Sequence, residues 1–205
     1  MIPRVKICGV TRLEDAREAL RLGADALGFN FWPGSRRFIA PAAARAIVRA
    51  LPPLATTVGV LVDPSAEELA SAVALSGVQV AQLHGDEPPE LCDRAPVPVV
   101  KALRVAGPEV LAALARYRVA AFLLDAPGPG YGGSGRTFDW ELAREAARRA
   151  PVILAGGLTP ENVAAAIRAV RPYGVDVASG VESAPGVKDH GRLAGFLAAA
   201  RVEDA

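Results

Sequence analysis

A closed barrel of eight parallel β-strands, each followed by a helix, is the fold predicted for this chain, and three observations predict it. Short apolar runs and amphipathic Ala/Arg/Glu/Leu-rich stretches alternate along the sequence. Strands separated by helices pair in parallel, in a sheet covered on both faces. Eight such units follow one another in 205 residues with no linker or break in composition. That suits a single (β/α)8 TIM-barrel domain, 1–205, near the lower size limit of the fold. The rival, an open doubly wound sheet, ordinarily carries a G-x-G-x-x-G turn after its first strand, and Cys8–Gly9–Val10–Thr11 supplies none.

The strands fall at 5–10, 26–31, 57–62, 78–84, 97–103, 120–126, 152–155 and 175–179, each a short apolar run bounded by turn residues. Helical periodicity places helices at 13–22, 41–51, 66–75, 108–115, 140–149, 161–170 and 192–201, with room for only a short one at 88–94. Punctuation supports these bounds. Thr11 with Glu14, and Ser65 with Glu68, have the spacing of capping boxes. Thr159 precedes Pro160 at a first helical position, and Gly23 and Gly77 follow their helices as stops. His190 belongs to the start of the last helix.

Composition excludes several classes of function. A net charge of +1 leaves no electrostatic footprint for nucleic acid. No apolar run approaches the ~18 residues of a membrane helix, and the N-terminus does not read as a signal peptide. Two cysteines, Cys8 and Cys92, fit a reducing cytoplasm better than a disulfide framework. Only three of the 23 basic residues are lysine, and Asn and Gln are scarce, a bias that suits a thermophile. Barrels of this size often form homodimers, although no interface is legible in the sequence.

In such a barrel the loops after the strands build the active site, so polar residues are expected at strand ends. They occur there as a ring: Cys8, Asn30, Asp63, Gln82 and His84, Lys101 and Arg104, Asp125, Gly156–Gly157, and Ser179–Gly180. Glycines after the last two strands let backbone N–H groups approach a phosphate closely. Cys8 and Asp125 each end an apolar run beside a glycine or a Pro-Gly turn, and together could move protons on a small phosphorylated substrate. A thiol base needs a lowered pKa, for which a nearby cation is expected.

Side-chain alternation puts Lys6 and Cys8 on one face of the first strand, and Asp176 on the matching face of the eighth. A buried Lys6–Asp176 ion pair follows, read as structural rather than chemical. Residues 128–135, GPGYGGSG, read equally as a lid over the site or as a plain connection. Arg36 or Arg37 could hold a carboxylate in a bidentate fork, and His84 reads either as pocket wall or as a core histidine. No metal-ligand spacing or nucleotide-binding loop is present.

At this point the sequence resembles the phosphoribosylanthranilate isomerase family of tryptophan biosynthesis. The matching phrases run in order through the domain: KICGVT, GFNF, SRRFI, VGVLV, QLHG, LLDAPGPGYGGSGRTFDW, LAGGLTPENV and GVDVASGVES. The resemblance implies an Amadori rearrangement of a phosphoribosyl-anthranilate aminoaldose to an aminoketose, with no cofactor and no metal. It implies Cys8 as general base, Asp125 as general acid, Arg37 on the anthranilate carboxylate, and Gly156, Gly157, Ser179 and Gly180 around the phosphate. An arginine at position 36, where the family commonly has proline, leaves open which arginine meets the carboxylate. The rival enzyme, the histidine-pathway aminoaldose isomerase, usually employs an aspartate in the first strand, where this chain has Cys8. A non-catalytic phosphate-sensing barrel would keep the glycines without needing both Cys8 and Asp125.

Overall fold

The structure is a computed structural model that describes residues 2–105, 107–125 and 140–201. Eight strands alternate with helices: β1 Arg4–Ile7, α1 Leu13–Arg21, β2 Ala26–Asn30, α2 Pro41–Arg49, β3 Thr56–Leu61, α3 Ala66–Ser76, β4 Val80–Leu83 and α4 Pro89–Asp93. The second half continues with β5 Val99–Arg104, α5 Glu109–Leu114, β6 Ala121–Asp125, α6 Trp140–Arg149, β7 Val152–Leu154, α7 Val163–Val170, β8 Gly174–Val177 and α8 His190–Ala200. Between β8 and α8 lie a 3-10 turn, Ser179–Val181, and a small antiparallel hairpin of β9 Glu182–Ala184 and β10 Val187–Lys188. Each barrel strand pairs in parallel with the next, and β8 returns to β1, closing the barrel as predicted.

Alternation sorts the side chains into two cores. Outward residues such as Ile7, Leu27, Phe29, Leu83, Leu124 and Val175 pack beneath the helices in the larger cluster. Inward residues Val100, Ala102, Ala121, Leu123 and Ala155, with Val80 and Ile153, fill the barrel. Small inward side chains suit the tight interior of an eight-stranded barrel. Asp125 follows the inward residues Ala121 and Leu123 at the same parity. It therefore rises from the barrel axis at its C-terminal mouth.

Local signals held in part. Ser65 and Glu68 form the reciprocal capping box of α3, and Gly77 ends that helix with a left-handed φ of 74°. Thr11 does not cap α1: its hydroxyl donates to the Gly186 carbonyl at 2.6 Å, and Arg12 occupies the N-cap position without a side-chain capping bond. Helix α7 begins at Val163, because the Thr159 carbonyl accepts from Asn162 and Val163 in a preceding turn. β1 stops at Ile7, since Gly9, with φ 73°, bends the chain away and sends the Val10 N–H to the Gly28 carbonyl. The glycine-rich segment 128–135 lies outside the described residues. Among the described residues no helix is long and apolar enough to cross a membrane.

Candidate active site

At the C-terminal mouth of the barrel one cavity is lined by Cys8, Asn30, Arg37, Gln82, His84, Asp125, Gly156, Gly157 and Ser179, among others. A larger, mainly apolar hollow of about 800 Å³ opens at the opposite end, walled by residues such as Val58, Val80 and Val100. That end holds the interior filling rather than strand-end functional groups, so the C-terminal mouth is the candidate site.

Cys8 sits just past β1, its N–H held by the Val177 carbonyl at 2.8 Å and its own carbonyl by Lys188 Nζ at 2.5 Å. One alternation deeper, Lys6 is buried and paired with Asp176, Nζ to Oδ1 2.9 Å, as the shared register of β1 and β8 requires. Burial pushes the Cys8 thiol above its ordinary value; the Lys6 and Lys188 ammoniums pull it down and Asp176 pushes it up. The net shift is upward, against the expectation of a lowered thiol, because desolvation of the thiolate outweighs the neighbouring cations. Lys6 itself would be lowered by burial, but Asp176 and Cys8 more than offset this and hold it raised and charged.

Asp125 ends β6 and is 4% exposed. His84 faces it, Nε2 to Oδ2 3.3 Å, while His84 Nδ1 lies 2.8 Å from Gln82 Nε2. With the Gln82 amide donating to Nδ1, the imidazole proton rests on Nε2, the nitrogen nearer the carboxylate. The contact lacks hydrogen-bond alignment, and Nε2 has no hydrogen-bond partner among the described residues. His84 is thus pocket wall, not a satisfied core residue.

Of the two adjacent arginines, Arg36 is exposed and Arg37 lines the cavity. Arg37 makes the anticipated bidentate fork, but with a carboxylate of this chain: Nε lies 2.9 and 3.0 Å from the two oxygens of Glu182, and Nη2 2.7 Å from Oε2. Lys188 Nζ reaches Glu182 Oε1 at 2.9 Å. Burial would raise Glu182, yet the hydrogen bonds from Arg37 and Lys188 hold its carboxyl below the usual range.

Gly156 and Gly157 have consecutive positive φ values of 85° and 66°, a conformation that side-chain-bearing residues rarely adopt. Neither N–H donates to any partner among the described residues, so both are available to an anion. Ser179 lies beside them on the exposed rim, at the start of the 3-10 turn. Gly180 does not line the cavity; it sits against the Leu158 carbonyl, where a Cβ would collide with backbone. Its close approach joins the two glycine-bearing loops.

Three other members of the predicted ring do not line the cavity. Lys101 shares parity with Val99 rather than the inward Val100, so it points out of the barrel and pairs with Glu87 at 2.8 Å. Asp63 accepts from the Asp86 N–H at 2.7 Å and lines a different hollow. Arg104, exposed at the end of β5, is not part of the cavity wall. The individual roles of Glu182 and Lys188 were missed. A signal existed: all three lysines of this arginine-rich chain, Lys6, Lys101 and Lys188, are buried. Surface cations here are arginines, so a lysine marks a place that needs a compact point charge. Among the described residues no group of three His, Cys, Asp or Glu side chains is placed to hold a metal.

This geometry has counterparts. The family described as N-(5'-phosphoribosyl)anthranilate (PRA) isomerase matches residues 5–199. The N-(5'-phosphoribosyl)anthranilate isomerase of Myxococcus xanthus is 52% identical, over 98% of this chain and 97% of its own. The crystal structure of phosphoribosyl anthranilate isomerase from Thermotoga maritima superposes with a TM-score of 0.92, at 45% identity over 97% of this chain and 98% of that one. A further isomerase structure, solved with reduced 1-(o-carboxyphenylamino)-1-deoxyribulose 5-phosphate, has a TM-score of 0.86 at 42% identity, over 97% of this chain and 98% of its own. With a closed barrel, an acid and a thiol in one mouth, and relatives matched along nearly their whole length, the chain belongs to the N-(5'-phosphoribosyl)anthranilate isomerase family.

Proposed function

We propose that the cavity at the barrel mouth isomerises N-(5-phosphoribosyl)anthranilate to 1-(2-carboxyphenylamino)-1-deoxyribulose 5-phosphate, a step of tryptophan biosynthesis, by general acid–base catalysis. The observation that carries this reading is the convergence of Cys8 and Asp125 on one cavity that also holds Arg37 and the N–H groups of Gly156 and Gly157, which have no partner among the described residues. Asp125 gives a proton to the ribose ring oxygen, which opens the ring to a Schiff base. Cys8 then takes the proton from C2 of the sugar, and the resulting enolamine tautomerises to the aminoketose. His84 faces the Asp125 carboxylate and stabilises the negative charge left after proton transfer.

Gly156, Gly157 and Ser179 bind the phosphate, while Gly180 fixes the loop that presents Ser179. Arg37 meets the anthranilate carboxylate. The resemblance calls for no cofactor in this chemistry. We further read the chain as a cytoplasmic, heat-adapted enzyme, because Cys8 must stay reduced to act and the chain has few thermolabile amides and many prolines. Leu54, 95% exposed, and the half-exposed Tyr173 border the apolar hollow at the N-terminal end, which supports a homodimer there.

The test is loss of anthranilate-type fluorescence from phosphoribosylanthranilate with the purified protein and its Cys8→Ala and Asp125→Ala variants. Each variant should lose on the order of 10²–10⁴-fold in kcat, with binding of the reduced product analogue retained. A wild-type protein that binds the analogue but does not turn substrate over is a sensor, not this enzyme.

A further inference from the structure

Arg37 presents two bidentate edges, and only one of them is occupied. A guanidinium carries five N–H donors in a rigid plane. The Nε–Nη2 edge is filled by Glu182, at 2.7–3.0 Å. Nη1 has no partner among the described residues, so the outer Nη1–Nη2 edge remains open. Arg37 lines the cavity, whereas Glu182 and Lys188 do not. Glu182 therefore holds the guanidinium from outside the cavity lining, and the Nη1–Nη2 edge is the one left for a ligand.

The surroundings make that grip rigid. Glu182 is 5% exposed at its side chain, and the Gly186 N–H adds a third donor to it at 3.2 Å. Lys188 Nζ aims its three donors at Glu182 Oε1, the Cys8 carbonyl and the Ala178 carbonyl, as expected for an ammonium. The stem of Arg37 lies over Gly9, where a side chain would collide with it, so the guanidinium is held next to the thiol-bearing residue. Two cations and one anion leave this cluster with a net positive charge, so Glu182 orients Arg37 without cancelling its attraction for an anion.

We propose that Glu182, held by Lys188, is a positioning residue that turns Arg37 into a fork selective for a planar aryl carboxylate on the substrate. The inference rests on the reading that Arg37 meets that carboxylate. It assigns to Glu182 the choice between substrates that carry the carboxylate and those that lack it, rather than a part in proton transfer.

The test compares kcat/KM for phosphoribosylanthranilate with that for N-(5-phosphoribosyl)aniline, which lacks only the carboxylate. In Glu182→Gln, the ratio of the two values should fall about tenfold, a loss carried by KM for the carboxylate substrate. Glu182→Asp keeps the charge but withdraws it by one methylene; it should lower the ratio as well, and it decides the matter if the glutamine variant does not fold. An equal loss for both substrates would mean a structural role only and would overturn the proposal. Arg37→Gln separates the two levels of the argument. If that variant leaves the ratio intact, the assignment of Arg37 itself fails. If it collapses the ratio while both Glu182 variants preserve it, only the role of Glu182 fails.

Discussion

Lys6 Nζ lies 2.9 Å from Asp176 Oδ1 within the barrel, one side-chain alternation below Cys8. The pair joins the first and last strands, and its position under the thiol gives it electrical influence over the proposed base. Lys6 lowers the Cys8 pKa more than Asp176 raises it, while burial pushes the thiol up overall. The thiolate is therefore a minor species near neutral pH, and the pair determines how minor.

The first prediction follows from those signs. The pH dependence of Cys8 alkylation should inflect above the ordinary thiol value of about 8.5. Lys6→Met should move the inflection further up, and Asp176→Asn should move it down. The rising limb of kcat/KM with pH should shift in the same directions. Each variant also breaks a buried pair, so urea unfolding should show a loss of about 3–5 kcal/mol. Alkylation profiles that stay superimposable would separate the pair from the thiol.

The second concerns the anion cradle. At Gly156 and Gly157 the backbone turns through positive φ, so alanine there strains the loop that presents two N–H groups with no partner among the described residues. Gly157→Ala should raise KM for substrate and weaken inhibition by inorganic phosphate in parallel, with a smaller change in kcat. Steady-state kinetics with phosphate as competitor checks this. Unchanged phosphate inhibition would place the anion elsewhere.

A third prediction concerns acid stability. Asp15 is fully buried and accepts from Arg12 Nε and Nη2 at 3.0 and 2.9 Å, from the Lys188 N–H at 3.0 Å, and from His190 Nε2 at 2.9 Å. Burial alone would raise its pKa, but the Arg12, Lys188 and His190 hydrogen bonds prevail and hold it below the usual carboxylate range. A depressed folded-state value means that the stabilisation is complete above the unfolded value of about 3.9 and is lost as pH falls through the folded one. Urea midpoints should hold steady from neutral pH to about 5 and then drop. Asp15→Asn should lower the unfolding free energy at neutral pH by about 1.5–3 kcal/mol, and flatten the acid decline.

Much of this molecule could be read from one dimension. The alternation of apolar and amphipathic segments determined the barrel, and strand parity by itself placed Lys6, Cys8 and Asp176 on inward faces. Parity in the fifth strand also accounts for Lys101: it shares a face with Val99 and so points away from the mouth. Such rules work because a strand's side chains alternate with a fixed period set by covalent geometry.

Tertiary structure decided the remainder. It turned Arg37 into the cavity and left Arg36 in solvent. It also delivered Glu182 to Arg37 across 145 residues and withdrew Thr11 from its cap to meet Gly186. No local period encodes those meetings. They depend on β8 returning to β1, which brings the end of the chain over its beginning and gives buried charges partners they could not find nearby.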